Sequence, residues 1–493
     1  MNEQVAARTA TAPSLRQRGA RGAMWTFAKT IYTSGAQLLS IMVLARLLPA
    51  ADFGLVSLAS VFVMLMALVT DLGLTPALIR IAQPSRSQTD TAFWCSFIVS
   101  SALCGAVVIA APALALWLHQ PELRAIISVL AIQIPVASLR LVPVATLTRE
   151  MRFRPLAMRE IAAVTAGTVG AIPLALAGYG AWALVFQSLG GVAIDVAILW
   201  RSVAWRPSLR FDVAEARSLL KFGLSALVTQ LLRTGRDRAV DLTIGAAAGT
   251  AALGTWVVGS RIANTVLLLF TAVLGAVSLP VFSTIKDDRA RLARAFRHAM
   301  GSSAGLALPA MVGLAAVSAT LIPLSFGAQW RSSVPIAEVV ALTAAAAALS
   351  WVDSTLWWAL GRPSVEFKLT LVVSLAQVGL AVLFAPHGVL AVALAMLARN
   401  VLTVPLRAIV VVRSAHMPWS TYADVPRALC AALPMAAVIL MLRFGLAGTS
   451  PWISAACQVG AGAATYLATS ALFQRRLLRE AAHDISSALG RRG

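Results

Sequence analysis

The chain has 493 residues, of which 59% are hydrophobic and 12% charged, against about 25% charged in an ordinary soluble domain. Forty-one Lys and Arg set against 20 Asp and Glu leave a formal charge of +21, and the mean hydropathy is +0.80. These values exclude a soluble enzyme, a disordered chain and a disulfide scaffold, and leave an all-α polytopic membrane protein.

A bilayer core needs about 20 apolar residues per helix. In chain order the runs that meet this need are 22–48, 54–79, 92–118, 123–147, 161–177 and 181–200, then 222–248, 251–283, 300–326, 335–360, 369–385 and 389–412, and finally 428–446 and 452–473. They predict about 14 transmembrane helices. Barrel strands would instead alternate with a period of two over about ten residues, and these runs are longer and continuous. Pro135, Pro143, Pro173 and Pro309 interrupt the pattern where neighbouring helices or a wet cavity must re-satisfy the freed backbone groups.

Basic residues accumulate on the cytoplasmic side of membrane proteins. With the N-terminus in the cytoplasm, 29 Lys and Arg fall on that side, whereas the opposite connections hold four: Arg46, Arg124, Arg331 and Arg443. The split predicts that both ends are cytoplasmic. The basic tail 1–21 has no short apolar run with a small-residue cleavage site, so it reads as retained. Arg289 to Arg297 reads as an interfacial amphipathic helix or a solvated inside loop.

The chain reads as duplicated. The turn before Gly54 (Leu48-Pro49-Ala50-Ala51-Asp52-Phe53) has its counterpart before Gly254 (Ala248-Gly249-Thr250-Ala251-Ala252-Leu253), an offset of 200 residues. Arg154-Pro155 and Arg362-Pro363 follow the fourth and tenth runs, and Thr146-Leu147 and Thr355-Leu356 are nearly in step with them. Both halves start on the same side, which predicts a parallel repeat. The resulting organisation is an N-lobe over 22–200, a linker over 201–221, a C-lobe over 222–412, two further helices over 428–473 and a basic tail over 474–493. The two pseudo-symmetric six-helix lobes are expected to enclose a central cavity.

Eight basic residues fall inside apolar runs: Lys29, Arg140, Arg233, Arg236, Arg238, Arg261, Arg399 and Arg407. A charge at the bilayer centre costs about 2.5–3.5 kcal/mol on insertion scales, so it is functional by default. Lys29, Arg261, Arg233, Arg236 and Arg140 are the candidate cavity bases. Guanidinium suits phosphate because its planar fork donates two hydrogen bonds at once. Asp71, Asp195, Asp237, Asp241 and Asp353 are candidates for pairing these bases or for carrying a coupling proton or sodium. Asp71, followed by Leu72-Gly73, reads first as the cap of a helix break. Arg233 and Asp237 are four residues apart and can pair on one face. Arg407 is placed to snorkel toward the inside surface. Interhelical salt bridges are the alternative role for the whole set.

No phosphate-binding loop, Ser/His/Asp set or HExxH is present. The four cysteines and five histidines lack metal spacing, so no metal and no cofactor is expected. Nothing resembles a nucleic-acid surface beyond the charge itself. The chain is expected to move something rather than transform it.

The stretch 22–80 resembles the N-terminus of bacterial polysaccharide and O-antigen type flippases, a branch of the multidrug/oligosaccharidyl-lipid/polysaccharide superfamily. The residues are Val43-Leu44-Ala45-Arg46-Leu47-Leu48-Pro49, Asp52-Phe53-Gly54-Leu55 and Asp71-Leu72-Gly73-Leu74. Thr148-Arg149-Glu150-Met151-Arg152-Phe153-Arg154 resembles the family's fourth-to-fifth loop, and Ile244-Gly245 with Gly249 and Leu253-Gly254 its seventh-to-eighth turn. The resemblance implies a V-shaped fourteen-helix carrier in the bacterial inner membrane. It also implies transfer of a polyprenyl-diphosphate-linked oligosaccharide from the inner to the outer leaflet, with no enzymatic chemistry. It places Lys29 and Arg261 where related carriers hold cavity base. Where many relatives have an acid near Val240, this chain has Asp237 and Asp241. Membrane lipids, a polysaccharide polymerase and glycosyltransferases are the partners such a carrier would meet. Rival readings are a cation-coupled multidrug exporter, a peptidoglycan-precursor flippase, a non-transporting scaffold and a membrane glycosyltransferase. The excess of intramembrane base disfavours the first and the scaffold.

Overall fold

The computed structural model describes residues 15–446 and 448–473; the basic tail 474–493 and the first 14 residues of the tail 1–21 lie outside the described residues, and 15–21 are the opening turns of a helix rather than a tail. Among the described residues every regular element is helical, and each of the fourteen apolar runs coincides with helix. Among the described residues eleven helical segments are long and apolar enough to cross a membrane. The first, seventh and last runs are helices outside those eleven, and the first two of these carry the charges of Lys29 and of Arg236 to Asp241. Exposed Val372, Leu375, Val382, Leu383 and Leu394 form the kind of apolar exterior that acyl chains cover.

The chain divides into two compact units, Met1–Leu48 with Leu55–Arg238, and Pro49–Gly54 with Ala239–Gly493. The first unit holds α1 (Leu15–Leu47), most of α2 (Ala50–Asp71), α3 (Leu74–Arg80) and α4 (Arg86–Trp117). It continues through α5 (Leu123–Leu130), α6 (Gln133–Ser138), α7 (Leu141–Arg149), α8 (Phe153–Leu176), α9 (Ala181–Ser202) and the first part of α10 (Val213–Ala248).

The breaks have local causes. Leu72 and Gly73 take left-handed φ of 47° and 67°, which ends α2, and the Thr75 hydroxyl turns back to donate to the Asp71 carboxylate. The fourth run is three short helices, α5 to α7. Pro135 and Pro143 sit in the first turns of α6 and α7, where no intrahelical partner is lost. This segmentation puts Arg140 at a helix junction.

The connection 203–212 is bound to its own unit. The buried carboxylate of Asp90 accepts from Trp205 Nε1 at 3.1 Å and from the Ser208 hydroxyl. Trp94 Nε1 donates to the Ser208 carbonyl at 2.8 Å, and the Asp212 amide donates to Thr91 Oγ1 at 3.0 Å. Trp205 packs edge-on to Phe93 and Trp200. α10 then starts at Val213, inside the stretch that the sequence assigns to the linker, because a helix can project its charged turns beyond the apolar run. Asp90→Ala should leave two partly buried donors without their acceptor, at about 1 kcal/mol each. Hydrogen exchange of amides 203–212 should accelerate in a variant that still folds; unchanged protection would show that Asp90 does not hold the connection.

The second unit contains the rest of α10, α11 (Thr250–Thr284), α12 (Arg289–Phe326) and α13 (Val334–Ala359). It also contains α14 (Pro363–Phe384), α15 (Val389–Ser414), α16 (Asp424–Gly445) and α17 (Pro451–Phe473). α12 packs on α13 and α16, and α13 on α11 and α15, around Phe282, Phe296, Met300, Leu356 and Trp357. The sequence leaves Arg289 to Arg297 as an interfacial helix or loop; instead these residues are the opening turns of the 38-residue α12. Asp288 caps that helix by accepting from the Arg291 amide, which holds its carboxyl below the usual range.

The two turns that the sequence matches meet within this unit. A Cβ built on Gly54 would fall on the carbonyl oxygen of Thr250, and one built on Gly254 on that of Ala50. Each glycine therefore receives the carbonyl of the residue four before the other. The Phe53 ring meets Trp330 edge-on at 5.6 Å between centroids.

Candidate functional site

The first unit carries an open cavity of about 450 Å³ with a mixed polar and apolar lining. Three helices aim side chains at it through their periodicity. α1 supplies Thr33 and Gln37, one turn apart, with Lys29 a turn earlier. α8 supplies Glu160, Ala163 and Val164, and α9 supplies Gln187, Ser188, Gly191, Val192 and Asp195. The glycines set the spacing of α8 and α9. A Cβ on Gly167 would lie 2.6 Å from the Gln187 carbonyl oxygen, and one on Gly191 3.3 Å from that of Ala163.

Five charged side chains form one alternating chain beside and along this cavity. Lys29 Nζ lies 2.9 Å from Glu160 Oε2, and Arg159 Nη2 3.2 Å from Glu160 Oε1. Arg159 Nη1 donates to both oxygens of Asp195 at 2.9 Å. Arg140 Nη1 completes the chain at 3.1 Å from Asp195 Oδ2, while its Nε donates to the Ala137 carbonyl at 3.2 Å. Asp195 is 4% exposed, whereas the side chains of Glu160 and Arg140 keep 35% and 37% of their surface open. Gln187 Nε2 donates to Ser40 and Thr168, and Gln133 Nε2 to Ser188 Oγ at 2.8 Å. Three bases and two acids leave the chain with one surplus positive charge.

A second charged cluster is packed solid in the other unit. Arg407 Nη2 lies 2.6 Å from Glu366 Oε2 and donates to Ser354 Oγ at 2.9 Å, and its Nε lies 3.7 Å from Asp353 Oδ2. Tyr422 donates to Asp353 Oδ1 at 2.7 Å, and Ser354 and Thr370 donate to Glu366 Oε1. The Arg407 side chain is 5% exposed, so it does not snorkel as its position in the run suggested. Two buried carboxylates draw it inward.

The remaining predicted residues are dispersed. Arg236 Nε donates to its neighbour Asp237 at 3.0 Å, and buried Asp241 accepts from Trp256 Nε1 at 3.2 Å. Arg261 is half-buried on α11 in the second unit. The side chain of Arg233 lies outside the described residues, so its pairing with Asp237 is not described. Of the five predicted bases, Lys29 and Arg140 join the first-unit network. Sequence reasoning missed Arg159 and Glu160 because they precede the apolar run; both lie inside α8. It also missed Gln187 and Ser188, although the polar spacing of Gln187, Gly191 and Asp195 on one face of an apolar helix was a signal. Glu366 and Tyr422 were missed for the reason that hid Arg159. The second unit also carries an apolar groove of about 440 Å³ lined by Pro309, Leu314, Met435, Ile439 and Tyr466.

The family model for polysaccharide biosynthesis proteins matches residues 43–335. The chain belongs to this family. It is 25% identical over 466 residues to the succinoglycan biosynthesis transport protein ExoT of Rhizobium meliloti (strain 1021), covering 93% of this chain and 94% of that protein. It is 24% identical over 361 residues to the lipopolysaccharide biosynthesis protein WzxC of Escherichia coli (strain K12), covering 72% and 73% of the two chains. Its fold is similar to that of the lipid II flippase MurJ in an inward closed conformation, with a TM-score of 0.74, 17% identity, and 93% and 100% coverage. An inward-facing multidrug resistance transporter of the MATE family has the same fold at a TM-score of 0.61 and 16% identity, with 78% and 97% coverage. The family member described here is a multi-pass membrane protein.

Proposed function

We propose that this polysaccharide biosynthesis protein is a flippase. It moves a polyprenyl-diphosphate-linked oligosaccharide from the cytoplasmic to the outer leaflet of the bacterial inner membrane by alternating access of its two lobes. The observation that carries the reading is a positively biased, partly polar cavity among helices whose exterior is apolar. A polar head group needs such a space, and the apolar groove of the second unit offers a hydrocarbon chain a surface of matching polarity. The 29-to-4 distribution of basic residues supports cytoplasmic termini. An inside-negative potential favours outward movement of an anion by about 2.3 kcal/mol per charge per 100 mV. An exporter of organic cations would need surplus acid where this network has surplus base.

The test is transfer of a fluorescent undecaprenyl-diphosphate oligosaccharide in proteoliposomes. Wild-type protein should move it far faster than empty liposomes do. Arg261→Ala should cut the rate by about tenfold or more, the scale of one lost charge-assisted contact, while membrane insertion and melting stay unchanged. Transfer of hydrophobic cations without the glycolipid would refute the reading.

A further inference from the structure

We propose that the cavity of the first unit is a sugar subsite: it receives one neutral hexose residue of the glycan through its hydroxyls, and not the diphosphate. The inference rests on the flippase reading and deepens it.

The cations around this cavity are already engaged. Lys29 holds Glu160, Arg159 holds Glu160 and Asp195, and Arg140 holds Asp195. A diphosphate carries at least two negative charges and would meet one surplus positive charge. The open donors of Arg140 could meet one of these charges, but to compensate the second the diphosphate would have to draw a base away from Asp195 or Glu160. Removing one partner from a buried ion pair leaves an uncompensated charge, which is strongly unfavourable. Asp195 is buried, so it would bear that cost.

A sugar hydroxyl avoids this conflict because it donates one hydrogen bond and accepts others. It can join the network without opening a pair. A carboxylate offers about four lone-pair sites. Glu160 uses one oxygen for Lys29 and the other for Arg159, and it remains open to the cavity. Vicinal hydroxyls can donate to Glu160 and accept from the open guanidinium of Arg140. The lining also offers small apolar surface at Ala163, Gly191 and Val192, which suits the C–H face of a pyranose. The volume of about 450 Å³ lies within the range of small-molecule sites.

The alternative roles of the cavity give opposite signs in one experiment. Full-length protein in lipid nanodiscs is titrated with undecaprenyl diphosphate, and with undecaprenyl diphosphate carrying a single glucose or galactose. Wild type should bind a hexosyl lipid about tenfold more tightly than the bare lipid, a difference of one or two good hydrogen bonds. Glu160→Gln should erase most of that preference by weakening the hexosyl lipid, without a comparable gain for the bare lipid. Val192→Phe fills the cavity without touching a charge, and should erase the same preference should the Glu160 variant not fold. If the cavity instead holds the diphosphate, Glu160→Gln releases Lys29 and tightens the bare lipid, which overturns the proposal. Equal wild-type affinity for bare and hexosyl lipids overturns the subsite alone. Wild type that binds none of these lipids overturns the flippase reading and the subsite with it.

Discussion

Arg407→Ala should lower the stability of the protein by about 3–5 kcal/mol, the scale for breaking a buried ion pair by removing one side. Among the described residues Arg407 is the base paired with both Asp353 and Glu366, and both acids are buried or nearly so. Without it, the two carboxylates keep the hydroxyls of Ser354, Thr370 and Tyr422 but lose the positive charge between them. A neutralising background separates lost attraction from stranded charge. Arg407→Leu combined with Asp353→Asn and Glu366→Gln should recover most of the loss, because replacing a whole buried ionic set by apolar or neutral groups is often close to neutral. Tryptophan-monitored melting suits the measurement, since Trp357 is fully buried in the adjoining core. An Arg407→Ala protein that melts with the wild type would show that the cluster is not structural.

Gly54→Ala and Gly254→Ala should each destabilise by about 1–3 kcal/mol or more, the usual scale of overpacking, and by similar amounts. Each added methyl would occupy the place of a backbone carbonyl oxygen, of Thr250 in one case and of Ala50 in the other. A backbone atom cannot rotate out of the way as a flexible side chain can. Gly105 in α4 and Gly379 in α14 provide controls of opposite sign, because a Cβ on either meets nothing within 4 Å. Alanine at an open helical glycine gains up to about 1 kcal/mol in helix propensity. The four variants compared by melting therefore predict two losses and two neutral or favourable changes. Similar melting for all four would show that Ala50, Thr250 and their glycines are not in close contact.

The two forecasts draw on different amounts of sequence information. Gly54 and Gly254 stand out in the sequence as matched positions 200 residues apart, and the duplication alone makes them candidates for a shared role. Arg407 stands out as an intramembrane base, but its two acids lie 54 and 41 positions earlier in the chain. Hydropathy assigns Glu366 to a loop, so the cluster is invisible until α13, α14 and α15 are packed.

The fourteen helical runs, their breaks at Leu72-Gly73 and near Pro135 and Pro143, and the all-α class followed from the sequence alone; Pro173 and Pro309, read as interruptions too, instead lie inside the continuous helices α8 and α12. A bilayer imposes a length and a polarity on every spanning segment, and a backbone without water must satisfy itself locally. Such constraints are written residue by residue. The pairing of Arg140 with Asp195, the position of Arg159 and Glu160 within α8, the inward turn of Arg407 and the hold of Asp90 on the 203–212 connection were decided only by tertiary structure. Each depends on which helix face meets which, and a side chain at a given depth costs the same in a hydropathy sum whether it faces lipid or a partner. For that reason the sequence identified Lys29 and Arg140 as bases inside the membrane and Asp195 as a candidate partner, but not which pairs form, nor Glu160, which engages Lys29. It could therefore signal an anionic substrate without revealing that the first unit's cavity is nearly neutralised from within.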